Sequence, residues 1–497
     1  MEKSENIQEY KGKFWLSNKP DYKVEGVLKF TNNEYFRPIL ELSKPLINSY
    51  EESQEDGKKV ITSRSKIFSS DDNIKIFGIL NNLVNGGFGY KVSLHKCIPD
   101  NEGMSALEVF IGDDFVEEIE NLNMEGFSID YNLLSNWIGK FEYIYKQKDD
   151  RKYLELQFNE PKPIENKLVI GENKYNIDFV FSLVTERDFT SICVKEPVNV
   201  IISNDINNIS FSEVSKLAEC LRVFLNFATM EEIKIEKFFG YSKRAPEDPL
   251  NNYSMYKTIS YLSLTKNIKH SEEEINNLFM LFSYKTLLDN SNFSNVFQRW
   301  IQLYEDLELG FINTLFTHSV DPIYYFWSIT PRIESYFRKR SNEAENKNDH
   351  RYIINKNIYS GVKYKLLDVI HTLYKDKEEW EKEQTLWESR INFLNEVPLE
   401  NILEELIGEN KEIILKSKIM KENEIMSFIK DCKDTRNYFA HLNNKKKKKI
   451  PKGINLIYLA NRLKLIFIIL ILKELGFKDL NIVEAINRAR GKTILPY

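Results

Sequence analysis

The apolar periodicity of this chain changes near residue 211, and that change limits its fold more than any other feature. Before it, apolar and β-branched residues come in short runs at 24–30, 39–42, 74–80, 90–97, 107–111 and 153–158. Clusters such as Asn85-Gly86-Gly87 and Pro99-Asp100-Asn101 bound them. Many short runs bounded this way predict a mostly-β, sandwich- or barrel-like domain. After 211 the spacing becomes helical. Ser212 is the expected N-cap of a helix carrying Val214, Leu217, Leu221 and Leu225. The segment 241–253, with Pro246 and Pro249, reads as a linker. Further helices are expected near 361–374, 377–395, 399–416, 421–440 and 454–475, with Pro331 in the first turn of another and a polar loop over 341–357. The expected fold class is α+β multidomain. A β-rich domain spans 1–210, a helical connector and linker 211–295, and an all-α bundle 296–497.

The longest apolar run, Leu465 to Leu472, lies between Lys464 and Lys473. Eight residues fall far short of a membrane span, so this reads as a buried helix and no membrane partner is expected. Four cysteines, Cys97, Cys193, Cys220 and Cys432, are far apart and form no CxxC pair. That argues against a zinc site or a disulfide framework and points to a reducing, cytoplasmic setting. The N-terminus has no apolar signal region. No GxxxxGK[ST], GxGxxG or HExxH occurs, which disfavours nucleotide hydrolysis and zinc proteolysis, and no cofactor or metal is expected. The tryptophans, Trp15 and Trp137 among them, read as core.

Charge is unevenly placed. The whole chain carries a net −5, yet residues 417–497 hold 18 Lys/Arg against 7 Asp/Glu, a local +11 that leaves −16 for the rest. A basic module on an acidic body suits a polyanionic partner; a solvated lysine loop would give the same count. Within the basic stretch lies Arg436-Asn437-Tyr438-Phe439-Ala440-His441, followed by Lys445, Lys446, Lys447, Lys448 and Lys449. Arg436 falls on a predicted apolar stripe with Ile425, Ile429, Cys432 and Phe439. A guanidinium there needs a carboxylate, a phosphate or a subunit interface. Glu334 is the candidate carboxylate. Asn437 and His441 lie about 40° apart around a helix, but Arg436 and His441 about 140° apart. Either the helix bends or ends near His441, or a second copy of the motif completes the site across a twofold axis.

RNA carries its own nucleophile, the 2′-OH. A histidine can move its proton, and an arginine can stabilise charge building on the phosphate. Lys433, one turn before Arg436, and the five lysines could contact RNA. The same residues also admit a structural reading, with Arg436 in an ion pair and His441 on the surface near a helix C-terminus.

Arg-Asn-x-x-x-His ahead of a long Leu/Ile-rich helix resembles the HEPN ribonuclease superfamily. The first half narrows this. Phe14-Trp15-Leu16-Ser17-Asn18-Lys19-Pro20-Asp21, Phe77-Gly78-Ile79-Leu80, Val92-Ser93-Leu94-His95-Lys96-Cys97 and Val109-Phe110-Ile111-Gly112 resemble the ApeA family of bacterial anti-phage proteins, as do Tyr458-Leu459-Ala460-Asn461-Arg462-Leu463 and Lys473-Glu474-Leu475-Gly476. Ser17 departs from the proline that family often carries there. The resemblance implies an abortive-infection toxin whose HEPN domain cleaves RNA without a metal, with Arg436 and His441 as catalytic residues and Asn437 as the polar residue beside them. It implies a homodimer or higher oligomer, an N-terminal domain that senses infection or restrains the nuclease, and a phage-derived trigger. By analogy with related HEPN toxins, transfer RNA is the target to test. The alternative is a non-catalytic HEPN-like scaffold that binds RNA or protein.

Overall fold

A computed structural model of the chain describes residues 8–31, 37–44, 46, 50–55, 58–63, 75–80, 90–100, 103–139, 144–147, 154–157, 162–182, 184–187, 192–195, 197–243, 256–263, 280–310, 322–343, 353, 356–374, 377–441 and 450–491. The chain divides into two units: Met1–Leu225 with Ile233–Leu278, and Asn226–Glu232 with Phe279–Tyr497.

The first unit is built on one antiparallel sheet of twelve strands: β1 (Gln8–Leu16), β2 (Val24–Thr31), β3 (Arg37–Leu42), β4 (Ile76–Leu80), β5 (Lys91–Asp100), β6 (Gly103–Gly112), β7 (Gly126–Tyr131), β8 (Lys167–Ile170), β9 (Asn173–Phe181), β10 (Val198–Ser203), β11 (Ile235–Lys243) and β12 (Tyr256–Ser263). The order β6-β3-β2-β1-β4-β5 returns to β6, because β5 and β6 also pair, so six strands close into a barrel. Closure removes the open edges that a flat sheet would expose. Alternate residues fill the interior, and Phe14, Leu28, Leu40, Ile76, Val92 and Val109 are fully buried there. Gly78 is required on β4, since a Cβ would collide with the Phe14 ring.

Strand β6 pairs with β5 along one edge and divides its other edge between two strands. Met104 and Ser105 pair with β3, whereas Glu108 to Gly112 pair with β12. From β12 the sheet continues as β11-β7-β10-β9-β8. Helix α1 (Leu134–Ile138) places Trp137 between Phe179 and Phe224, at 6.2 and 5.8 Å between ring centroids. Phe224 belongs to α2 (Phe211–Thr229), and the Tyr131 hydroxyl donates to the Ala218 carbonyl of that helix at 2.8 Å.

Three local expectations are corrected here. The N-cap of α2 is Ser210, not Ser212: its hydroxyl accepts from the Glu213 amide at 3.2 Å while Glu213 accepts from the Ser210 amide, a reciprocal cap that Ser212 has no acidic residue to complete. The span 211–295, expected as a helical connector, also contributes β11 and β12 to the sheet. Tyr241 to Lys243 of the expected linker lie in β11; residues 244–253 fall outside the described residues.

The second unit is helical among its described residues: α3 (Tyr284–Leu288), α4 (Phe293–Asp306), α5 (Pro322–Glu343), α6 (Lys356–Leu373), α7 (Lys377–Leu394), α8 (Leu399–Glu409), α9 (Lys411–Lys416), α10 (Ile425–His441), α11 (Ile454–Glu474) and α12 (Asp479–Arg490). Pro331 sits inside α5 and not in a first turn. It has no N–H for the Trp327 carbonyl. Nearby side chains turn onto the same helix: Thr330 Oγ1 donates to the Phe326 carbonyl at 2.7 Å and Arg332 Nη1 to that of Ser328 at 3.1 Å. The eight-residue apolar run belongs to the 21-residue α11, which is long and apolar enough to cross a membrane; 67% of that span is buried inside the fold. It packs against α5, where the Tyr336 hydroxyl donates to Glu474 at 2.6 Å.

His95 ties a loop to the barrel. Its Nε2–H donates to the Val116 carbonyl at 2.8 Å, and Ser93 Oγ accepts from the Val116 amide at 2.9 Å. The imidazole is 1% exposed and meets Phe110 edge-on, so burial lowers its pKa. The unfolded chain then binds the proton more readily, and stability contributed by neutral His95 is present above about pH 6.5 and lost as pH falls below it. Urea denaturation at pH 7.5 and 5.5 is expected to show this acid loss in the wild type and a smaller one in His95→Gln, which keeps a donor but does not titrate.

Candidate active site

Helix α10 is held at its start and along one face. Glu424 accepts from the Lys421 amide at 2.8 Å and pairs with Arg462 of α11 at 3.1 Å. Phe428, Ile429, Cys432 and Thr435 form the buried stripe. The expected stripe is thus shifted: Thr435 lies inside, and Arg436, about 100° further round, sits at its edge with 40% of its side chain exposed.

The expected carboxylate is in place. Arg436 Nη2 lies 3.7 Å from Glu334 Oε1 on α5, and Glu334 is 15% exposed. Glu334 also lies 3.9 Å from Arg338 Nη2, which donates to Glu396 Oε2 at 2.7 Å. One carboxylate therefore faces two guanidiniums, and one of those is anchored elsewhere. One turn back, the Lys433 ammonium bonds to Glu400 of α8, which raises the lysine pKa. Burial holds the Cys432 thiol well above its ordinary pKa, so it supplies no thiolate. At the far end of α10, Phe439 meets Trp327 of α5 at 6.3 Å. The pairs Glu334–Arg436 and Trp327–Phe439 run in opposite numerical order, so α5 and α10 pack antiparallel here.

Asn437 is half-buried on the same helix. The helix runs unbroken to His441, its last residue. The described structure of His441 is its helical backbone alone, and Lys445, Lys446, Lys447, Lys448 and Lys449 fall outside the described residues. A continuous helix sets the backbone positions of Arg436 and His441 about 140° apart around its axis. Among the described residues no group of three or more His, Cys, Asp or Glu could hold a metal ion.

Sequence reading missed Arg338, Glu396 and Glu400. Arg338 lies four residues after Glu334, a detectable helix-surface pair. Glu396 and Glu400 gave no such signal. Trp15, Trp137, Trp300 and Trp380 are buried as expected of core residues, but Trp327 is 37% exposed.

Two family models match the chain: ApeA N-terminal domain 1 over residues 9–300 and Apea-like HEPN over residues 328–480. The chain belongs to the ApeA family. These matches put it in an anti-phage HEPN nuclease family, and Glu334, Arg338, Arg436 and His441 all lie within the HEPN match. No curated protein and no solved structure matches the chain.

Thr435 Oγ1 is buried without a hydrogen-bond partner directly beneath the motif. An unsatisfied buried hydroxyl costs free energy that an apolar group of the same shape avoids. Thr435→Val is therefore expected to stabilise the helical unit by about 1 kcal/mol in urea denaturation, where an ordinary core threonine would show a loss.

Proposed function

We propose that this protein is an anti-phage endoribonuclease whose HEPN unit cleaves RNA by attack of the ribose 2′-OH, with Arg436 and His441 as the catalytic pair. The observation that carries this reading is the state of Arg436. Its guanidinium is kept at the surface by a carboxylate at 3.7 Å, too far for a hydrogen bond and near enough to orient the charge. A phosphate oxygen can replace Glu334 as its partner without leaving a buried charge unpaired.

In the reaction the 2′-oxygen forms a bond to phosphorus while the bond to the 5′-oxygen breaks. One imidazole takes the 2′-OH proton and a second donates to the leaving oxygen. Arg436 stabilises the charge on the non-bridging oxygens. The products are a 2′,3′-cyclic phosphate and a 5′-hydroxyl. The unbroken α10 favours a twofold pair, because Arg436 and His441 of one helix diverge while two copies facing each other supply both groups to one cleft. Asn437, sharing a face with His441, orients the histidine or the phosphate. Lys433 and the five lysines from Lys445 to Lys449 add phosphate contacts.

The β unit restrains this activity until a phage-derived trigger appears in the cytoplasm, and transfer RNA is the first target to test. Strong expression of wild type, compared with His441→Ala and Arg436→Ala, is expected to yield discrete RNA fragments with cyclic or 3′-phosphate ends. Each variant should cleave at least about 100-fold more slowly, the scale of a lost general acid–base group. Intact RNA in all three, during infection as well, together with undiminished defence by His441→Ala, would replace this reading with a binding scaffold.

A further inference from the structure

We propose that Trp327 is a stacking platform for an unpaired nucleobase, so that the site takes single-stranded RNA and not a base-paired helix. This rests on the reading that RNA is the substrate.

The indole is placed for it. Trp327 lies two turns before Glu334 on α5, hence on the same face and about 10.5 Å along the axis. On the antiparallel α10, Phe439 is one turn beyond Arg436 and two residues before His441. The Trp327–Phe439 contact therefore lies between the arginine and the end of the helix where the histidine stands. A base resting there would have its phosphate beside Arg436. The two rings meet at 59°, so Phe439 abuts the indole without covering it as a parallel ring would. Tyr324, one turn earlier on α5, is 44% exposed and extends the aromatic surface toward a second base.

The exposure needs a reason. Four other tryptophans of this chain are 8% exposed or less and Trp387 is half-buried, and a partly exposed indole forfeits some of the burial that stabilises them. The surroundings favour nucleic acid over protein. The exposed apolar residues of α6 are mostly aliphatic, with Ile358, Leu366, Val369 and Leu373 between 37% and 74% exposed beside a single aromatic, Tyr364, as a protein partner would use. The Trp327 surface adds Trp327 and Tyr324 to the exposed Ile323, on the face of α5 that bears the half-exposed guanidinium of Arg338 and whose Glu334 meets Arg436 of α10. Aromatic faces beside guanidiniums are how single strands are held, since every base offers a π-face. In a duplex those faces are already stacked on neighbouring bases.

The test uses the full chain carrying His441→Ala, so that RNA is bound and not consumed. A short fluorescent single-stranded RNA and the blunt duplex of the same sequence are titrated against it, with Trp327 intact, Trp327→Ala and Trp327→Tyr. Trp327→Ala should weaken single-strand binding about 5- to 150-fold, the equivalent of one lost base stack. Trp327→Tyr should retain most of the affinity, the duplex should bind weakly whatever stands at 327, and sedimentation should show one oligomeric state throughout. Unchanged single-strand affinity overturns the proposal, as does an equal loss for the duplex. A change of oligomeric state in Trp327→Ala also overturns it, since the surface is then a subunit contact. RNA cleavage by the protein with His441 intact that is unchanged by Trp327→Ala would sink the platform and leave the nuclease reading standing. Failure of the intact protein to bind or cleave either RNA would sink both.

Discussion

A guanidinium at the margin of an apolar helix face has to meet an opposite charge, and the candidate site is arranged around that requirement. Phe428, Ile429, Cys432 and Thr435 set the rotation of α10 by burying themselves. That rotation leaves Arg436 at the boundary between core and water. Glu334, only 15% exposed, is then held between Arg436 and Arg338, and Arg338 is fixed by Glu396. A carboxylate facing two guanidiniums does not give its whole charge to either, so Arg436 is oriented but not committed. Such a weak, partly solvated pair adds little to folding stability, which leaves the arginine free to exchange partners.

The two units meet the same demand, the satisfaction of backbone and apolar groups, in different ways. In the first, strand β6 pairs with β5 on one edge and divides the other between β3 and β12, so a closed barrel and an open sheet share one strand. The barrel interior is filled by side chains. In the second, α11 is apolar around most of its circumference and can be stable only when surrounded, so it becomes the element on which α5 packs. The helix that carries Glu334 and Trp327 is therefore positioned by the most hydrophobic segment of the chain.

Much of this was legible from residue order. The helices near 377–395, 421–440 and 454–475 appear within a few residues of their expected bounds, because a 3.6-residue apolar period is a local property, whereas the helix expected over 399–416 is two, α8 and α9, parted at Asn410. Glu334 was identified as a partner for Arg436 because a marginal arginine implies a nearby carboxylate. Strands β11 and β12 were missed, since their apolar residues do not alternate cleanly and only pairing with β7 and β6 makes them strands. Pro331 was misplaced because α5 begins well before it and tolerates a proline in its interior, where neighbouring side chains take up carbonyls of the same helix.

The sequence by itself determined the order of a β-rich half and a helical half, the family, and the identity of the motif residues, because each is written in local period or in residue type. Only the tertiary structure decided which strand closes the barrel, which carboxylates face Arg436 and Lys433, and that Trp327 stays partly exposed near Arg436. Those outcomes depend on the packing of elements such as α5, α8 and α10, whose contacting residues lie from 33 to more than 100 positions apart in the chain. No local pattern reports the distance between two side chains that meet only after the helices have docked.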